Sequence, residues 1–150
     1  MVRNKLGMIA IPTLLVILVN IFLAIIAYHY YTHVQQILEI SRTHYYIEYA
    51  INTIHTALTL KYLTKSNDTL TIPLKIPNNI IVIIDNNEVR YYPKLNVSLY
   101  DPANIITYAE NGLVRYKFMI ADGTLVMFKG NYILRLEGYP PIITVSKAAT

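Results

Sequence analysis

Hydrophobic and polar positions follow two regimes along this chain, and the change comes near residue 64. Residues 8–28 contain no Asp, Glu, Lys or Arg. A helix rises about 1.5 Å per residue and a bilayer core is about 30 Å thick, so this run predicts a helix just long enough to cross a membrane. From residue 29 the pattern becomes amphipathic. At about 100° per residue, His29, His33, Ile37, Ile40, His44, Ile47, Ile51, Ile54, His55, Leu58 and Tyr62 gather within roughly a third of the helix circumference. Glu39, Arg42, Tyr45, Tyr49, Thr53 and Thr56 fall largely elsewhere. No proline or glycine interrupts residues 13–62. One helix of about 80 Å is therefore expected from about Ile9 to about Tyr62. Its stripe needs a cover, either the chain's own downstream domain or neighbouring copies. Ile37, Ile40, Ile47, Ile51 and Ile54 are the expected assembly residues.

Thr64-Lys65-Ser66-Asn67-Asp68 breaks the helical pattern, and the period then changes. Short strands are expected over residues 69–76, 80–85, 89–93, 96–100, 105–108, 113–120, 124–128, 132–137 and 142–146. Turn signals stand between them, including Pro77-Asn78-Asn79, Asp85-Asn86-Asn87, Asp101-Pro102 and Lys129-Gly130-Asn131. Asn111-Gly112 and Asp122-Gly123 supply the positive φ that tight hairpins require. Hairpins are expected about each of these two, joined in a continuous meander. Pro140-Pro141 marks a sharp start to the last strand. The predicted fold class is α+β: a long N-terminal hydrophobic and amphipathic helix, then a small antiparallel β-sandwich-like domain. Four segments result: a basic leader (1–7), a transmembrane or filament-core helix (8–28), an amphipathic helical stalk (29–63) and an extracytoplasmic β domain (64–150).

Charge gives the helix a direction. Arg3 and Lys5 precede the apolar run, and the first charges after it are Glu39 and Arg42. Positive flanks stay in the cytoplasm, so the β domain is expected outside, with Tyr28, Tyr30 and Tyr31 as an aromatic belt at the outer interface. Pro12 falls in about the first turn, where proline is best tolerated. Asn20 is polar mid-span, either a helix–helix hydrogen-bonding group or a single tolerated amide. Three readings of the run compete: a cleaved signal peptide, a permanent signal anchor, and a leader cut on the cytoplasmic side so that the helix is kept. A signal peptide has an apolar core of about 7–15 residues and a small-residue cleavage site. Here the run is longer and ends in Tyr28-His29-Tyr30-Tyr31, which disfavours the first reading.

The remaining composition mostly excludes. The net charge is +4. From Thr64 onward nine Lys/Arg face seven Asp/Glu, and the basic patch that a nucleic-acid partner needs is not expected. With no cysteine in the chain, disulfides, thiolate catalysis and thiolate metal sites are excluded. No histidine follows His55, so a Ser-His-Asp triad or a zinc site of the usual ligands cannot be built within the β domain. Asp85, Glu88, Asp101, Glu110 and Asp122 lie mostly at turns, and nothing in their spacing selects a catalytic pair. No cofactor, no metal and no enzymatic activity are expected. His29 and His33 have the i,i+4 spacing of helical metal pairs, yet no further ligand lies close in sequence; side chains of a packing seam are the expected role. Asn67-Asp68-Thr69 and Asn96-Val97-Ser98 match the N-glycosylation triplet, and Asn67 in the helix–strand break is the better candidate.

The order of basic leader, apolar helix, amphipathic continuation and small Cys-free β domain resembles archaeal type IV pilin-like proteins. These include archaellum and adhesion-pilus subunits. It also resembles the membrane-anchored β-sandwich accessory proteins of the archaellum motor. The likeness is one of architecture over the whole chain. Its nearest motif is Lys5-Leu6-Gly7 before Met8: in pilin leaders a basic and a small residue precede the cut. The resemblance implies processing at Gly7-Met8, with Lys5 as the basic residue, and a mature helix beginning Met8-Ile9-Ala10-Ile11-Pro12. Two departures stand out. Leu6 separates the basic residue from Gly7, and Pro12 occupies the fifth mature position, where bacterial pilins carry glutamate. The implied role is a non-enzymatic surface subunit whose partners are the membrane and other copies of itself in a filament. The alternative is a permanently anchored stator or accessory module that binds an envelope protein.

Overall fold

In the computed structural model the backbone is described for residues 3–148, and the side chains for residues 12–119 and 121–148. One helix, α1 (Arg3–Thr64), precedes nine strands: β1 (Leu70–Ile76), β2 (Ile81–Asp85), β3 (Glu88–Tyr92), β4 (Ile106–Glu110), β5 (Leu113–Tyr116), β6 (Ile120–Ala121), β7 (Leu125–Met127), β8 (Gly130–Glu137) and β9 (Ile142–Lys147). The fold is α+β, as its periodicities predict. The chain divides into two units, Met1–Ser41 and Arg42–Thr150.

Within the second unit the strands form two sheets, ordered β1-β8-β9-β6 and β4-β5-β3-β2-β7. Every pairing is antiparallel except the short β6–β9 contact, which is parallel. Alternation sets which face is buried. Leu74 and Ile76 of β1, Tyr132, Leu134 and Leu136 of β8, Val82 and Ile84 of β2, and Val89 and Tyr91 of β3 all enter one core. The helical residues 42–64 join the same core: Ile47, Ala50, Ile51, Ile54, Ala57 and Leu58 recur at three- and four-residue spacing and are buried. Each fully buried Ile or Leu contributes about 1.5–3 kcal/mol relative to exposure.

Local chemistry ends the helix two residues later than expected. Lys65 takes a left-handed conformation (φ 48°) and its N–H donates to the Lys61 carbonyl at 3.0 Å, which satisfies an orphan carbonyl of the last turn. Lys61 is itself buried. Its ammonium donates to the carbonyls of Ser66 (3.0 Å) and Asp68, so this cation is satisfied by backbone dipoles beyond the helix. A cation in the last turn also suits the helix dipole.

The Asn111-Gly112 hairpin forms as predicted. Both residues have positive φ (51° and 79°), and Glu110 pairs with Leu113 across the turn. The expectation for Asp122-Gly123 is corrected: β6 pairs with β9 in one sheet and β7 with β2 in the other. That turn carries the chain between sheets, and no continuous meander forms. Residues 96–100, expected as a strand, form none. Leu95, Val97 and Leu99 are only partly buried against the core, while Asn96, Ser98 and Tyr100 stay exposed. The alternation was genuine, but it belongs to an extended segment lying on the domain. The strand expected over 113–120 is likewise two, β5 and β6, in different sheets.

Candidate functional site

In the first unit α1 has an apolar surface that is largely exposed among the described residues. It is long and apolar enough to cross a membrane, and its most apolar stretch has no buried share. Leu14, Val16, Phe22 and Ile26 are all exposed. Tyr28, Tyr30 and Tyr31 follow, also exposed, with the Tyr28 and His29 rings edge-on at 6.2 Å. The Thr32 hydroxyl donates back to the His29 carbonyl at 2.9 Å, a local bond that leaves the helix intact. Lys5, Gly7 and Met8 fall within the helical backbone of α1, but their side chains lie outside the described residues.

The predicted stripe divides between the units. Ile37 and Ile40 remain 50% and 68% exposed in the first. Ile47, Ile51 and Ile54 are 0–1% exposed in the second, within a core shared with both sheets. These three, expected as assembly residues, are therefore used internally, because the two sheets already cover that face. Ile37 and Ile40 are the members of the set left open to another molecule.

The histidines part in the same way. His29 and His33 are exposed. His44 Nδ1 lies 3.7 Å from Glu48 Oε2. His55 is buried: its Nε2 bonds the Tyr100 carbonyl at 2.9 Å, and its ring stacks on Tyr116 at 5.9 Å. His55 Nδ1, Thr59 Oγ1 and the Tyr116 hydroxyl are buried without a hydrogen-bond partner among the described residues. Burial pushes the Tyr116 phenol upward, and nearby Asp101 adds to the shift. No group of three or more His, Cys, Asp or Glu side chains that could hold a metal occurs among the described residues.

The carboxylates sit where the backbone needs them. Asp101 accepts from the N–H of Ile105 (3.0 Å) and of Ile106 (2.8 Å), fixing the chain as it enters β4. Glu88 receives Arg90 Nη2 at 2.8 Å through Oε2 and the Arg115 guanidinium through Oε1. The hydrogen bond from Arg90, then that from Arg115, holds the Glu88 carboxyl below its ordinary 4.5. A depressed folded value stabilises the protein above the unfolded pKa, and that contribution is lost as pH falls below about 4.5. Glu88→Gln should therefore lower the denaturant midpoint at about pH 7, with the deficit narrowing at about pH 3. A deficit that is constant between the two would show that the ion pairs do not set it.

Asn67 is exposed in the break between α1 and β1. Asn96 is exposed too, and its Oδ1 accepts the Asn111 N–H at 3.0 Å, a bond that does not use the amide nitrogen at which a glycan attaches. Sequence reading missed Lys61 and the Glu88–Arg90–Arg115 group. Lys61 lies seven residues after Ile54, one stripe position further on. Glu88 and Arg90 alternate on one strand face, and Glu88 stands opposite Arg115 in register.

The architecture is thus an exposed apolar helix and a two-sheet domain with a helical core member. No protein-family model, curated protein or solved structure matches the chain.

Proposed function

We propose that this chain is a non-enzymatic cell-surface structural protein, a pilin-like subunit that assembles through its N-terminal helix into a filament of the archaeal type IV pilus kind. The observation that carries the reading is the apolar surface of α1 in the first unit, unburied over its most apolar stretch, while the stripe of the second unit is closed within that unit's own core. Such a helix needs lipid or protein around it. In the membrane, lipid serves, with the β domain outside as the leader charges dictate. In a filament, the same surface on neighbouring copies serves equally well, with Ile37 and Ile40 extending the contact.

The reading is tested by sequencing the amino terminus of the protein from native membranes and filaments. A start at Met8 is expected. Deleting residues 3–7, or Gly7→Phe, should leave an unprocessed precursor in the membrane and abolish filaments in electron micrographs. Filaments unchanged by either would reject the proposal. The second reading, a permanently anchored module that binds an envelope partner, is favoured by Leu6 between Lys5 and Gly7. It requires a start at Met1 or Val2.

A further inference from the structure

The second sheet carries exposed aromatic rings at the end of β3, in the middle of β4 and just after β7. Tyr92 closes β3 at 40% exposure, Tyr108 on β4 is 42% exposed, and Phe128 just after β7 is 58% exposed. The Phe128 backbone is clamped at both polar groups: its N–H donates to the Tyr132 hydroxyl (3.2 Å), which donates to its carbonyl (2.7 Å). Beside Tyr92, the buried Tyr91 hydroxyl donates to the Leu95 carbonyl at 2.9 Å. Tyr92 walls two adjoining depressions. One, of about 380 Å³, is lined by Arg90, Lys94, Tyr108, Glu110 and Asn111. The other, of about 420 Å³, is lined by Asn78, Asn79, Ile81, Phe128 and Lys129. Volumes near these hold small ligands or single units of a polymer.

Flat rings with carboxamides, a carboxylate and lysines alongside match a particular chemistry. Aromatic faces accept the C–H face of a pyranose ring. Asn78, Asn79 and Asn111 can both donate to and accept from sugar hydroxyls, and Glu110 accepts from them. Lys94 Nζ sits 5.9 Å from the centre of the Tyr92 ring. Neither Lys94 nor Lys129 has a carboxylate partner among the described residues, so both remain open to an anion. A nucleic-acid strand and a uronate chain each bring an anion with every unit, so Glu110 disfavours both alike. The polysaccharide also brings several hydroxyls per unit, which Asn78, Asn79 and Asn111 can bind. We infer that Tyr92, with Tyr108 and Phe128 on either side, is the centre of a binding platform for an acidic polysaccharide chain of the uronate type. The inference goes beyond the filament reading and does not depend on cleavage at Gly7.

Affinity electrophoresis of the full chain in detergent micelles tests it, with polygalacturonate in the gel as the probe and neutral dextran and single-stranded oligothymidylate as comparisons. Retardation by polygalacturonate alone is expected. Tyr92→Ala should weaken it about tenfold, while Tyr92→Phe, which keeps the ring, should stay within about twofold. Lys94→Gln with Lys129→Gln should weaken it and flatten its salt dependence. Should Tyr92→Ala lose its fold by circular dichroism, Phe128→Ala takes its place with the same expectation. No retardation, equal retardation by dextran, tighter binding of oligothymidylate, or indifference to the ring deletions would each overturn the inference.

Discussion

Replacing Gly112 with alanine is expected to destabilise the β domain by about 2–5 kcal/mol. Two costs combine at this residue. Its φ is +79°, and an L-residue held in the left-handed region costs roughly 1–2 kcal/mol. A Cβ there would also lie 2.7 Å from the Tyr91 carbonyl oxygen and 3.0 Å from Lys94 Cα. Both are backbone atoms, so no side chain can swing aside, and forced overpacking adds about 1–3 kcal/mol. The close approach has a structural cause: the Tyr91 N–H donates to the Gly112 carbonyl at 2.8 Å, drawing β3 against the hairpin turn. Gly123 is an internal control. Its φ is +77°, but nothing lies within 4 Å of its added Cβ, so Gly123→Ala should show the conformational cost alone. Urea denaturation in detergent, followed by tyrosine fluorescence, measures both. Equal losses at the two glycines would show that the steric contact is not felt.

The second large effect separates two isoleucines of one sequence stripe. Ile51 is 0% exposed, and Ile51→Ala should cost about 2–5 kcal/mol through lost burial and the cavity left behind. Ile40 is 68% exposed, and Ile40→Ala should change stability by no more than about 0.5 kcal/mol. In the filament reading, Ile40→Ala instead reduces filament yield. The same denaturation midpoints, with filament counts from micrographs, check the pair. A large stability loss for Ile40→Ala would mean that it belongs to the folded core.

How much of this could be read in advance depended on whether the cause was local. The helix was legible because residues 8–28 form one uncharged apolar run and residues 29–62 carry one helical period, and Asn111-Gly112 because its turn chemistry is set by two adjacent residues. Asp122-Gly123 carries the same turn signal, yet the strands on either side choose partners far away in sequence, Ile142 for Ile120 and Ile84 for Leu125. Dipeptide chemistry allows a tight turn but does not choose which sheet receives the next strand. The stripe shows the same limit. Periodicity placed Ile37 and Ile54 on one face, but only the position of the sheets decides which of them is covered. The aromatic platform was hidden for this reason too, since Tyr92, Tyr108 and Phe128 come from three separate segments: the end of β3, the middle of β4 and the residue after β7.

The burial of Ile47, Ile51, Ile54 and Leu58 in one core with residues of both sheets has a mechanical consequence. Residues 42–64 are a core member of their domain. A pull along the axis of this helical segment loads those contacts in shear, many at once, instead of unzipping them in turn. At its far end the Lys61 ammonium ties the last turn to the carbonyls of Ser66 and Asp68, so tension leaves the helix through that junction as well. The weak direction is peeling at a sheet margin, where β1, β6, β4 and β7 each have a single partner strand. Under load, the domain should yield at its strand edges before its helix slides.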